Sequence, residues 1–173
     1  MVVIIMSFEL FVITWQAANG RQSHFNISTP LYGILFSAMG VAISILTLWT
    51  LIIGIRFLRR KDLNLPESYL WGIRIGIILF VVFSFEGGIM AARLSHTIGS
   101  PDGGPGLPVL NWSTAFGDLR VAHFFGIHSL QIIPLVGYYL ARSSKQILLF
   151  AALYVIWLVV LLAEAMYKVP AIG

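Results

Sequence analysis

The chain has 173 residues, enough for one ordinary soluble domain, but 58% hydrophobic residues, 10% charged residues and a mean hydropathy of +0.90 exclude ordinary globular usage. Cysteine is absent, which removes disulfide scaffolds, thiolate metal sites, iron–sulfur clusters and thiol redox chemistry. The net charge of +4 comes from basic residues at the ends of apolar runs, without the aromatic-interleaved patch of a nucleic-acid binder, so the expected partner is the lipid bilayer and no nucleic acid is expected.

The first apolar run, residues 2–18, is short and carries Glu9. No Lys or Arg precedes it and QAANG offers no small-x-small cleavage site, so an uncleaved helix is expected in place of a signal peptide. Four longer runs follow at 31–58, 69–94, 119–141 and 147–168. Each supplies the roughly 20 residues that cross a hydrocarbon core of about 30 Å. The expected fold is all-α: an integral membrane helical bundle, one domain over 1–173, with four long transmembrane helices plus a shorter N-terminal one. No internal repeat or soluble domain is visible.

Basic residues concentrate in short cytoplasmic loops. Arg56, Arg59, Arg60 and Lys61 follow the second run, and Arg142 and Lys145 flank the tight turn after the fourth. With Arg74, this places seven basic residues inside against Arg21, Arg93, Arg120 and Lys168 outside. The expected location is a bacterial inner membrane, with a cytoplasmic N-terminus and the C-terminus outside. Both inner connections are short enough to make antiparallel hairpins. The outer loop 95–116 is long and rich in Gly and Pro, yet includes Leu107, Val109, Leu110 and Trp112. That apolar content predicts an ordered lid over the outer helix ends. The sequons at Asn26 and Asn111 carry little weight, since the pattern is common by chance.

Ionisable side chains are expensive in a bilayer and face a bundle interior, where they pair or work. Glu9, Glu86, His123, His128 and Glu164 all fall in the outer half, which makes that half the expected site. In HFFGIH a separation of five residues puts His123 and His128 about 140° apart around one helix, so they serve different neighbours. His128 shares its face with Phe124 and Gln131, which suits a packed imidazole with a hydrogen-bond partner. His123 has Arg120 one turn away. Glu86 precedes Gly87 and Gly88, small residues that let a backbone or a flat group approach. His24 and His96 lie in loops on the same side.

Three stretches, SHFN followed by TPLYG, GGPGLPVLNWS, and GDLRVAHFFGIHSLQIIPL, together resemble a group of bacterial polytopic membrane proteins and span most of the chain from Ser23 to Leu135. The resemblance implies a multi-pass membrane fold and brings no reaction with it. Members with these segments continue further at the N-terminus, so a short form or fragment is expected.

The sequence thus predicts a polytopic membrane protein with a buried His/Glu site under the loop. Glu86 and His128 are expected to approach each other from adjacent helices. Cofactor binding falls to His123, His128 and Glu86; a transition metal would use His128, Glu86 and Glu164; His96, His24, Glu9, Arg120 and Gln131 stand around them. Metal or b-type haem binding and proton relay are all compatible with these residue types. The competing expectation is an accessory or structural subunit, or part of a transporter, whose polar residues pair with one another, with a membrane partner or within a homo-oligomer. Nothing resembles a nucleotide loop, catalytic triad or zinc-protease helix.

Overall fold

The computed structural model describes residues 1–60 and 63–171; Lys61, counted above in the basic cluster, lies outside them. Among the described residues five helices follow in chain order: α1 (Val2–Ala18), α2 (Pro30–Arg59), α3 (Glu67–Arg93), α4 (Leu119–Tyr139) and α5 (Ser144–Met166). Helices α2 to α5 are long and apolar enough to cross a membrane, and α1 is a shorter apolar helix. The chain is therefore an all-α bundle of membrane-spanning character, with helix limits within three residues of those expected. One feature was not foreseen. The long loop is pinned at its base by a two-residue antiparallel pair, β1 (Thr97–Ile98) against β2 (Gly117–Asp118).

The helix starts follow from local chemistry. Thr29 caps α2 by accepting from the Tyr32 N–H at 3.3 Å, and Pro30 occupies the first turn, where its missing N–H costs nothing. At α5 the Ser143 hydroxyl accepts from Gln146 N–H, while the Gln146 side chain accepts from Arg142 N–H at 2.7 Å. This reciprocal cap makes the turn between α4 and α5 tight. Asp118 caps α4.

Helices α3 and α4 form the centre. Ser68, Gly72 and Gly76, four residues apart, make one stripe on α3. A Cβ at Gly72 would stand 2.9 Å from the Ile133 carbonyl oxygen, and one at Gly76 2.8 Å from that of Ser129. At the same seam a Cβ at Gly137 would stand 2.6 Å from the Ser68 carbonyl. Without a hydrophobic drive between helices in lipid, such close approach and interhelical hydrogen bonds hold them together. The Ser68 hydroxyl donates to the Gly137 carbonyl at 2.8 Å and that of Ser129 to Gly76 at 3.1 Å.

Helix α5 buries Ile147, Ala151, Tyr154, Leu158, Leu161 and Ala165, one helical stripe, and the Tyr154 hydroxyl donates to the Phe125 carbonyl at 2.7 Å. Helix α1 rests on α2, burying Val12 and Gln16. Large apolar side chains such as Ile34, Val41, Leu149 and Ile156 remain exposed around the bundle. On helices of this length they are the surface that meets acyl chains.

The loop is partly a lid. Trp112 is buried against Phe124 and Phe125, and Leu107 packs on the same core. Val109 and Leu110 are instead exposed, Val109 completely. Both sit at a tip where Val109 and Asn111 adopt left-handed backbone, turning the side chains away from the bundle.

Candidate functional site

The ionisable residues expected to gather in one half of the bundle divide into separate groups. At the centre, Glu86 of α3 pairs with His123 of α4, with Oε2 3.2 Å from Nδ1. At 1.5 Å per residue Glu86 lies about 10 Å, and His123 about 6 Å, inward from the loop end of its helix. Gly87 makes the pairing feasible. A Cβ there would stand 2.6 Å from His123 Cε1, so the flat group that fits against this glycine is the imidazole of the same chain. The Glu86 side chain is 6% exposed, and its second oxygen, Oε1, is buried without a hydrogen-bond partner. A buried carboxylate oxygen left so is costly, and marks an unsatisfied acceptor beside a titratable ring.

The expected approach of Glu86 to His128 does not occur. His128 turns to the other side of α4, where its Nδ1 lies 2.6 Å from the Phe124 carbonyl oxygen and its ring 4.1 Å from that of Phe124. The separation around the helix is what prevents both imidazoles from serving one site. His128 is a packed histidine next to the Trp112 cluster, satisfied by backbone, while Gln131 is exposed. His123 and His128 therefore have different partners, Glu86 for the first and the Phe124 carbonyl for the second. Among the described residues no group of three or more His, Asp or Glu side chains could hold a metal ion, so the expected set of His128, Glu86 and Glu164 is not assembled. Glu164 is half-buried on α5.

A cavity of about 290 Å³ extends from His123. Its wall runs along α2 at Met39, Gly40 and Ile43 and along α3 at Phe85, Gly87 and Met90, and it reaches Glu9 of α1 and Phe25 of the α1–α2 connection. Glu9 and His24 form a second, looser pair on the far side, Oε1 to Nε2 4.0 Å, with the Ser23 hydroxyl 3.0 Å from His24 Nδ1. Partial burial pushes the His24 imidazole down from its usual range and favours its neutral form. Phe25, in left-handed backbone, stands edge-on to Phe36 and contacts the His96 ring. The cavity thus has aromatic and aliphatic walls with Glu9, His24 and His123 as its ionisable groups, the composition of a small-molecule site.

The loop base holds a third group. The buried Asp118 accepts from the Ser113 and Arg120 N–H groups at 2.9 and 3.0 Å, and from the Arg120 guanidinium at 2.6 Å. Burial works to raise its pKa, but His96, Arg120 and the Ser113 N–H together hold it well below the usual carboxylate range. Asp102 accepts from the Ser95 hydroxyl at 2.8 Å and Thr97 N–H at 2.9 Å. There too burial is outweighed by the Ser95, Thr97 and His96 contacts, and the carboxyl is lowered. His96 Nδ1 lies 3.5 Å from Asp102 and 3.7 Å from Asp118, bridging the two ends of the loop. Arg120 thus belongs to the loop base and not to His123. Sequence reasoning missed Asp102 and Asp118, although Asp before Gly-Gly and Asp one residue before a helix are turn and cap signals.

The chemistry of the central pair follows from its tautomer. With the proton on Nδ1, His123 donates to Glu86 and keeps Nε2 as an acceptor; as imidazolium it donates from both nitrogens. Comparison with family models, with curated proteins and with solved structures finds no match.

Proposed function

We propose that this multi-pass membrane protein exchanges a proton at the Glu86–His123 pair with a ligand held in the adjoining cavity. The observation that carries this reading is the Glu86 carboxylate, nearly fully buried, with one oxygen on His123 and the other unpartnered. Such a carboxylate orients the imidazole through Nδ1, which leaves Nε2 as the atom on which His123 can take a proton and return it. The titratable groups that share the cavity with the pair are Glu9 and His24. Toward the opposite end α3 and α4 close on each other at Gly72, Gly76 and Gly137. This favours local proton exchange over a wire through the membrane. The basic residues Arg56, Arg59 and Arg142 lie at that closed end, and the positive-inside tendency supports a cytoplasmic face there, with the site near the outer face of a plasma membrane.

The test is infrared difference spectroscopy of protein in lipid nanodiscs, stepped between about pH 5 and 8, the range in which histidine sites commonly titrate. The expected result is a carboxyl and imidazole signal that disappears in Glu86→Gln and in His123→Gln. A spectrum that both variants leave unchanged would overturn the reading.

A further inference from the structure

We infer that the ligand of this cavity is a neutral amphipathic molecule drawn sideways from the bilayer, with a hydroxyl or carbonyl head placed at His123 and an apolar body along α2 and α3. This rests on the proposed proton exchange at the Glu86–His123 pair and assigns its ligand class.

The entrance supplies the first observation. Gly40 and Ser44 of α2 and Phe85, Gly88 and Ala91 of α3 line the cavity and are all exposed, so the cavity is open along these two helices. All lie within membrane-spanning helices; Gly40 is about 15 Å and Gly88 about 8 Å inward from the loop end at 1.5 Å per residue. At that depth an opening meets acyl chains, and a molecule entering there is already dissolved in the bilayer. Helix α1 packs on α2 and borders the same space through Glu9.

The walls supply the second. Phe25, Phe36, Phe85, Met39, Met90 and Ile43 present aromatic and flexible apolar surface, which suits a ring or chain. Carboxyl groups stand at the polar side, Glu9 on the wall and Glu86 behind His123, and a neutral head reaches them from the bilayer without the cost of carrying a charge through it. The imidazole edge selects further. Neutral His123 accepts from a hydroxyl through Nε2, and its charged form donates to a carbonyl through the same atom. A head that is a hydroxyl or a carbonyl fits one protonation state or the other, and no change of side-chain position is needed.

The experiment uses a benzoquinone carrying a decyl tail, titrated into protein in nanodiscs against empty nanodiscs as the partition reference. Gly40 and Gly88 give the decisive variants, because a Cβ at either meets nothing within 4 Å. Leucine there adds bulk at the entrance from a Cβ that meets no neighbouring atom. Gly40→Leu, Gly88→Leu and His123→Ala should each weaken binding about tenfold or more, and the tailless ring should bind at least about tenfold more weakly than the tailed one. The two leucine variants should retain the Glu86 infrared signal. Binding no greater than in empty nanodiscs, or unaffected by both leucine variants, would overturn the inference. If the Glu86 signal is present in that case, proton exchange stands and only the ligand class falls; if it is absent from the unaltered protein, the underlying reading falls with it.

Discussion

The His123 imidazole occupies the space that a side chain at residue 87 would fill, since a Cβ on Gly87 would stand 2.6 Å from Cε1 and 3.1 Å from Nδ1. The second of these is the nitrogen on Glu86, so the glycine and the ion pair are one construction. An α3 residue with any side chain at this position moves the ring, and the ring cannot move far without leaving Glu86.

Gly87→Ala should therefore destabilise the protein by ~1–3 kcal/mol, the usual cost of overpacking, and remove the infrared signal of the pair. Gly88→Ala is the control. Its Cβ meets open space, and the better helix propensity of alanine should leave stability equal or raised by ~0.5–1 kcal/mol. Adding His123→Ala to Gly87→Ala should relieve the overpacking. Thermal unfolding in detergent checks all three. Equal losses for Gly87→Ala and Gly88→Ala would mean that the imidazole is not what the glycine accommodates.

The helices were legible because hydrophobicity over twenty or more residues admits few other solutions, and chain-local caps such as Thr29 and Ser143 set their ends. The site was legible only in part. Depth puts Glu86 and His123 in the same half, and the roughly 140° between His123 and His128 says that only one of them can face α3, but neither quantity says which. Which face of α4 meets α3 is decided by the stripe of Gly72, Gly76 and Gly137, a tertiary fact that a single helix does not carry. Gly87 was recognised as a place for a flat group, although not for one from the same chain. The loop base escaped for a related reason: Asp102 and Asp118 are sixteen residues apart, and their joint work appears only when β1 and β2 pair.

Asp118 carries a second prediction. Its carboxyl is held below the unfolded value, so its contribution to stability is fully present above about pH 4 and is lost as pH falls through the lower folded value. Asp118→Asn keeps a side-chain acceptor for the start of α4 but leaves the Arg120 guanidinium without its charge partner. Near neutral pH the variant should lose about 3 kcal/mol, the lower end for breaking a buried pair because Arg120 retains some contact with water. Below about pH 4 the gap from the unaltered protein should narrow. Unfolding followed from neutral to acid pH tests the sign; a gap that widens in acid would contradict the assignment.

The seam between α3 and α4 can be tested by pairing a polar deletion with a steric one. Ser129→Ala removes the hydrogen bond to the Gly76 carbonyl, and interhelical bonds of this kind average ~0.6 kcal/mol in membranes, because the separated helices also find partners. Gly76→Ala acts on the same contact differently. Its Cβ would stand 2.8 Å from the Ser129 carbonyl oxygen and 3.4 Å from Leu130 Cα, both backbone, so the helices themselves must separate. That separation also lengthens the Ser129 bond to Gly76. Gly76→Ala should therefore cost more than Ser129→Ala, ~1–3 kcal/mol, and the double variant should cost little more than Gly76→Ala alone. Additive losses would mean that the hydrogen bond survives the insertion, and so that α4 rotates about its axis to admit the methyl group instead of moving away from α3.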